Sequence, residues 1–342
     1  MNTIVDAKIA IIIPNWDGVT DLPACLDSLK HQTLKAEIVV VENGSTDGSR
    51  ELLAEKYPKV TVLPQPKNLG FAGGVNVGIQ YAIGKHYDFV ALFNNDAVAE
   101  KDWLEKLVGG MQLPETGITT CTFATIDKQH IDSTGDMYTA WGLPYPRGRG
   151  EPLGAQYDRV TEIFGASGGA SLYRISMLKE IGLFDEDFFC YYEDVDLSFR
   201  AQLAGWKVRF VPASVAYHQI GATSSRLKGF TTYQTMKNQP LVVFKNVPRK
   251  YLWRVTWRFV IAHTLFFLRA CTRGQGMIAF KGDADGTRLL FKNFGTRRHI
   301  QKNRKVSDEY IWSIITHDLP PNAFALRKLR ARFWKLTGKK PS

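Results

Sequence analysis

The chain predicts an α/β protein built on a doubly wound, mostly parallel central sheet, followed by a basic helical extension. Three observations predict it. Short, mainly apolar runs recur at 7–13, 37–41, 60–63 and 89–93, as expected of strands buried on both faces. Helix-compatible stretches separate these runs. Charge is also divided: from Lys245 onward 22 Lys+Arg stand against 5 Asp+Glu, a net of +17, which leaves −6 for residues 1–244.

Length and composition set the bounds. With 342 residues the chain can bury a large core, as one big domain or a domain with an appendage. The four cysteines, Cys25, Cys121, Cys190 and Cys271, are scattered without metal-type pairing, which reads as reduced thiols in a cytosolic setting. The apolar run Ile9 to Ile13 is only strand length and no charged leader precedes it, so no secretion signal is expected.

The first strand, Ala7–Ile13, is broken by Pro14-Asn15-Trp16-Asp17-Gly18. Thr20 and Asp21 can then cap a helix with Pro23 in its first turn and Leu22, Leu26 and Leu29 on one face. A second strand, Glu37–Val41, runs into Glu42-Asn43-Gly44-Ser45-Thr46-Asp47-Gly48-Ser49. A helix over Arg50–Lys56 and a third strand, Val60–Leu63, follow. This β-α-β-α-β order places ligands at the carboxyl ends of the strands. The glycine-rich stretch from Lys67 to Asn76 precedes a helix over Val75–Ile83. It lets backbone approach a ligand closely, but lacks the Gly-Lys-Ser/Thr ending of a phosphate loop and is equally compatible with tight packing. The fourth strand, Phe89–Phe93, ends in Asn94-Asn95-Asp96. A carboxylate at the end of a central strand suits a divalent cation; a plain Asn/Asp turn is the alternative.

Residues 119–160 read as strands and a mobile loop that could act as a lid. The small residues around Gly168 and Gly169 suit a floor beneath a substrate, or close backbone packing. A strand (Ser171–Arg174) and a helix (Ile175–Ile181) follow. Next, Glu193, Asp194 and Asp196 fall within four positions, between aromatic residues and an amphipathic helix over Leu197–Ala204. At helical spacing the three cannot share one face. One of them at the mouth of a cleft would make a general base; the alternative is a helix start whose acids favour the macrodipole, the reading preferred for Asp196. Strands Val208–Val211 and Val215–His218 follow. His218, just before Gly221-Ala222-Thr223-Ser224-Ser225, can ligate a metal or touch a phosphate, or be an ordinary structural histidine.

Six of these pieces, in order, resemble the family-2 inverting glycosyltransferases with the A-type, Rossmann-like nucleotide-sugar fold, and within them a bacterial rhamnosyltransferase branch. The pieces are Ile13–Gly18, Val41–Ser49, Asn68–Asn76 (reading past Val75), Asn94-Asn95-Asp96, Tyr192–Leu197 with Arg200, and His218, spanning roughly 7–225. The resemblance implies that Pro14, Asn15, Trp16, Glu42, Asn43, Asn68, Gly73, Asn76, Asn94, Asn95 and Asp96 contact the nucleotide-sugar donor, dTDP- or UDP-linked. It implies Mg²⁺ or Mn²⁺ on Asp96 and His218, Asp194 as catalytic base, and Glu193, Tyr192, Gly168 and Gly169 at the acceptor. Two departures stand out. Glu42 occupies a position that is often Asp, and the family's Asp-x-Asp reads Asn94-Asn95-Asp96, one carboxylate short.

The implied division is a catalytic domain over 1–230 (nucleotide-sugar half 1–115, acceptor half 116–230) and a helical extension over 231–342. In the extension, Lys250, Arg254 and Arg258 recur every four residues beside Trp253 and Trp257. The apolar stretch within 251–270 is too short and polar to span a bilayer. A second helix after Pro320-Pro321-Asn322 would carry Leu326, Leu329, Phe333 and Leu336 among basic residues. Both suit an anionic membrane surface, with packing on the catalytic domain or a homo-oligomer contact as alternatives; nucleic acid is not expected, because no recognition motif accompanies the charge. The resemblance adds a polyprenyl-diphosphate-linked saccharide acceptor and a peripheral location on the inner face of the plasma membrane. Competing readings are a sugar-nucleotide nucleotidyltransferase, which would want a basic glycine loop that Pro14–Gly18 does not provide, and an inert carbohydrate- or membrane-binding scaffold.

Overall fold

The computed structural model describes residues 7–219, 227–321, 323, 327 and 328. The stretch 221–225 and almost all of the helix expected after Pro320 lie outside the described residues.

Strand β1 (Ile9–Asn15) shows why the sheet is covered on both sides. Its pleat sends Ile9, Ile11 and Ile13 into one core cluster and Ala10 and Ile12 into another. The first cluster is closed by α1 (Leu22–Lys30), which buries Leu22, Cys25, Leu26 and Leu29. β2 (Glu37–Glu42), α2 (Ser49–Lys56) and β3 (Thr61–Pro64) follow. The second cluster is covered by α3 (Gly70–Gly84). Here the structure corrects the expected helix start: the glycine-rich stretch is the first turns of α3, not a loop before it. Gly78 lets that helix press on the sheet, since a Cβ there would lie 2.3 Å from Ile12 Cγ2.

β4 (Phe89–Phe93) completes a parallel set in which β3, β2, β1 and β4 are neighbours. β5 (Ala97–Ala99), α4 (Trp103–Gly109), β6 (Thr116–Thr125), β7 (Ile131–Ser133), β8 (Asp136–Tyr138), β9 (Pro144–Pro146) and β10 (Thr161–Ile163) lead to β11 (Ala170–Arg174). β11 enters antiparallel between β4 and β6 and so joins the two halves of one sheet, whose order is β10-β12-β6-β11-β4-β1-β2-β3. α5 (Ile175–Ile181) and α6 (Glu193–Leu203) precede β12 (Lys207–His218). The two strands expected over 208–218 are one, parallel to β6, with a register shift between Val211 and Val215. α6 begins four residues before the expected start, so all three acids lie in its first turn.

Helices α7 (Phe230–Asn246), α8 (Arg249–Thr272), α9 (Gly276–Lys292), α10 (Phe294–Lys302) and α11 (Asp308–Ile314) complete the described chain. They do not stand apart. Leu241, Val242, Tyr251, Val255, Phe259 and Ile311 share one buried cluster with Tyr138, Phe164, Phe188, Val195 and Phe199 of the preceding region. Each such fully buried side chain contributes roughly 1.5–3 kcal/mol, so α7 and α8 are firmly attached. Among the described residues no helix is long and apolar enough to cross a membrane.

Candidate active site

A cavity of about 670 Å³ opens at the carboxyl ends of β1, β2 and β4. Its floor on the β1–β4 side is a set of neutral amides. Asn15, at the end of β1, accepts from Asn95 Nδ2 (2.8 Å). Asn43, just past β2, donates to Asn68 Oδ1 (3.1 Å) and to the Gly70 carbonyl (3.0 Å), and its own Oδ1 accepts from Leu69 N–H (3.0 Å). Gly70 is required here: its φ is +73°, and a Cβ would lie 2.3 Å from the Phe189 carbonyl oxygen. Pro14, Trp16 and Asn94 also line the cavity.

Three residues expected at the donor sit elsewhere. Glu42 is fully buried, where it accepts from Ser45 N–H (3.0 Å) and pairs with Arg50 (2.5 Å); it shapes the 42–50 turn rather than the cavity wall. Asn76 is tied to the Phe184 carbonyl (2.8 Å) and Glu186 (3.0 Å). Gly73 packs on Leu69.

Asp96 and His218 meet in the cavity, with His218 Nε2 3.3 Å from Asp96 Oδ1. The Phe123 ring stacks on His218 (centroids 4.6 Å apart), and its Nδ1 is 2.8 Å from Asp132, a residue to which no motif points. Asp132 in turn pairs with Arg149 (2.6 Å), which reaches the cavity. Burial lowers the His218 pKa, but the Asp132 and Asp96 carboxylates outweigh it and push the imidazole up to about 9. A cation bound there would have to displace that proton. The donor set suits one: Asp96 Oδ1 is buried and makes no well-directed hydrogen bond, and it faces a ring nitrogen. Among the described residues no three His, Cys, Asp or Glu side chains are grouped to hold a metal ion, so remaining ligands would come from substrate oxygens and water.

The acids of α6 separate sharply. Asp194 is half-buried behind the cavity wall and does not itself line it; Oδ2 accepts from Gly168 N–H (3.1 Å) and Oδ1 from Val195 N–H (2.8 Å). Burial raises its pKa despite these bonds. Glu193 is 5% exposed, with Oε2 unpartnered; burial and then the Asp194 charge hold it well above the ordinary range. Asp136, also unsignalled by any motif, is raised to about 8 by burial and the Asp194 charge. Asp196 goes the other way. It is fully buried between Arg200 (2.8 Å) and Lys245 (2.9 Å); burial opposes ionisation, but Lys245 and then Arg200 draw it down to about 2. Asp196 is the helix-start residue expected, in the first turn of α6, and is also a buried ion-pair centre tying α6 to α7. Gly169 accepts from Asn94 N–H through its carbonyl (2.8 Å), and the Tyr192 hydroxyl accepts from Gln239 (2.9 Å); neither lines the cavity. Aromatic side chains of Phe71, Phe189, Tyr191 and Phe230 do.

Fold and site together define a glycosyltransferase of the A-type fold. Residues 10–182 match the family described as Glycosyl transferase family 2. Relatives include the N-acetylglucosaminyl-diphospho-decaprenol L-rhamnosyltransferase of Mycobacterium tuberculosis, 30% identical over 210 residues that cover 54% of this chain and 67% of the relative. The dTDP-rhamnosyl transferase RfbF of Shigella flexneri is 24% identical over 69% of this chain and 80% of its own. Two solved structures share the fold. The mannosyltransferase PcManGT of Pyrobaculum calidifontis, in complex with GDP-Man and Mn²⁺, has a TM-score of 0.52 at 15% identity over 94% of this chain and 87% of its own. GalNAc-T7 with UDP, GalNAc and Mn²⁺ has a TM-score of 0.56 at 19% identity over 72% of this chain, which spans about half (49%) of the GalNAc-T7 chain. The chain belongs to glycosyltransferase family 2.

Proposed function

We propose that the protein is an inverting glycosyltransferase that moves L-rhamnose from dTDP-L-rhamnose to a hydroxyl of a polyprenyl-diphosphate-linked glycan in cell-surface polysaccharide assembly. The observation that carries this is one cavity in which the Asn15/Asn43/Asn68 shelf meets the Asp96–His218 pair. The names of the Mycobacterium and Shigella relatives support the sugar and the lipid carrier.

In this reading the amide shelf binds the nucleoside and orients the donor. Asp96 and His218 would hold Mg²⁺ or Mn²⁺, which supplies neutralisation of charge on the diphosphate. The acceptor oxygen bonds to the anomeric carbon as that carbon's bond to the diphosphate oxygen breaks. The electron pair leaves with the nucleoside diphosphate, and the hydroxyl proton passes to Asp194 Oδ. A carboxylate whose pKa is raised by burial is a better proton acceptor than an ordinary surface aspartate. Glu193, itself buried, is the acceptor-hydroxyl contact in this reading.

The helical extension is read as holding the enzyme at an anionic membrane surface on the cytoplasmic side. Trp253 is 75% and Phe280 61% exposed, on helices that also carry Arg254, Arg258 and Lys281. The donor is tested by thermal shift with Mn²⁺ against dTDP-L-rhamnose, UDP-glucose, UDP-N-acetylglucosamine and GDP-mannose. A donor present at 100 times its Kd adds about 2.7 kcal/mol of stability, so the rhamnose donor should raise Tm by several degrees. A shift with a UDP- or GDP-sugar alone would replace the proposed donor.

A further inference from the structure

The turn that delivers Asp194 has an unusual backbone. Phe189 (φ 64°), Tyr191 (φ 69°) and Tyr192 (φ 73°) all lie in the left-handed region, which bulky aromatic residues rarely enter. Such a backbone persists only when its surroundings over-determine it. The surroundings come from α7, some fifty residues later. Asn238 is fully buried, and its Nδ2 donates to the carbonyls of Phe188 (2.9 Å), Cys190 (2.9 Å) and Tyr191 (2.8 Å). Two N–H groups thus serve three carbonyls. Beside it, Lys237 Nζ donates to the carbonyls of Asp187 (3.0 Å) and Phe188 (3.2 Å). The same turn is bound to the donor side, because the Phe189 carbonyl accepts from Ala72 N–H of α3 (3.1 Å). On its other side the Tyr192 carbonyl accepts from Asp196 N–H (2.9 Å) and opens α6, two residues before Asp194 meets Gly168.

We propose that Asn238 is a positioning residue for catalysis: its carboxamide holds the 188–192 turn so that Asp194 faces the acceptor while Phe189 stays joined to the donor helix. A helix of the basic extension is then part of the catalytic apparatus, whatever its outer face meets. The role rests on reading Asp194 as the base, but its geometric half does not.

The test uses Asn238→Leu, which keeps the branching and heavy-atom count and removes both donors, and Asn238→Gln, which keeps the carboxamide. Carboxyl-¹³C aspartate spectra follow Asp194, assigned by comparison with Asp194→Asn, and near-ultraviolet circular dichroism reports the fold. In the folded Leu variant the Asp194 titration midpoint should fall towards the ordinary aspartate value, and Gln should restore part of the difference. With dTDP-L-rhamnose as the donor, kcat should fall on the order of 100-fold while the donor KM stays within about twofold. An unmoved midpoint, or equal midpoints in Leu and Gln, overturns the proposal. If Leu does not fold, Asn238→Ser carries the same readouts, and a Ser variant that also fails to fold overturns it by making Asn238 a general fold residue. If the wild type turns over no dTDP-L-rhamnose, the proposed donor falls, while the Asp194 resonance still decides this inference.

Discussion

The two sides of the cavity are built on opposite principles. The donor side is neutral: Asn15 pairs with Asn95, and Asn43 with Asn68, at strand ends within 15–95. The rest of the site is charged and drawn from later segments. Asp194 meets Gly168, Asp132 meets His218, and Asp196 meets Lys245. Asp194 and Asp196 show what this assembly achieves. They are two residues apart on α6, yet one is pushed up by burial while the other is drawn down to about 2 by two cations. Environment supplied by remote residues, not residue type, separates a candidate base from a structural anion.

That contrast can be broken at the anion first. Asp196→Ala removes the anion between Lys245 and Arg200, leaving Lys245 with Asp185 and Arg200 with backbone carbonyls, and should cost about 3 kcal/mol in urea unfolding. Wild-type stability from this group is present above the ordinary aspartate pKa and lost as pH falls towards 2, so the variant should lack that acid-side dependence. A variant within about 1 kcal/mol of wild type would mean the ion-pair centre is not what joins α6 to α7.

Asp136 sharpens the other half. Its folded pKa of about 8 lies above the unfolded value, so the folded state keeps a proton that the unfolded chain releases. Stability linked to it is full at low pH and lost as pH rises from about 4 towards 8. Asp136→Asn should flatten that loss, by at least about 1.4 kcal/mol between pH 5 and 8, which corresponds to a tenfold difference in proton affinity between the folded and unfolded chains. Parallel curves for both proteins would remove Asp136 from the buried cluster.

The smallest effect is expected at the surface. Trp253→Ser with Phe280→Ser should weaken co-sedimentation with phosphatidylglycerol vesicles roughly tenfold, about 1.4 kcal/mol, and leave the unfolding midpoint nearly unchanged. Unchanged sedimentation would favour a subunit contact for these residues.

What is legible in the sequence is confined to local patterns. The β-α-β alternation and the Asn94-Asn95-Asp96 turn are local patterns, and the helix Ile175–Ile181 matches its expected bounds. Asp132, Asp136, Arg149 and Asn238 give no sequence signal because each acts through a contact made only once β6–β9 and α7 have folded against the sheet. Asn76 shows the converse. It sits inside a recognisable motif, but its amide is committed to the Phe184 carbonyl. Within residues 208–218 the two expected strands are one, and the register shift between Val211 and Val215 absorbs Pro212, which lacks an N–H to pair.

The central claim is that the donor side binds and Asp194 deprotonates. Single-turnover transfer by Asp194→Asn, measured beside donor binding by the same protein, tests it most directly. Donor affinity should stay within about twofold of wild type, while transfer falls by about 10²–10⁴-fold. Near-full transfer by a variant that still binds donor would contradict the assignment of Asp194 as the base.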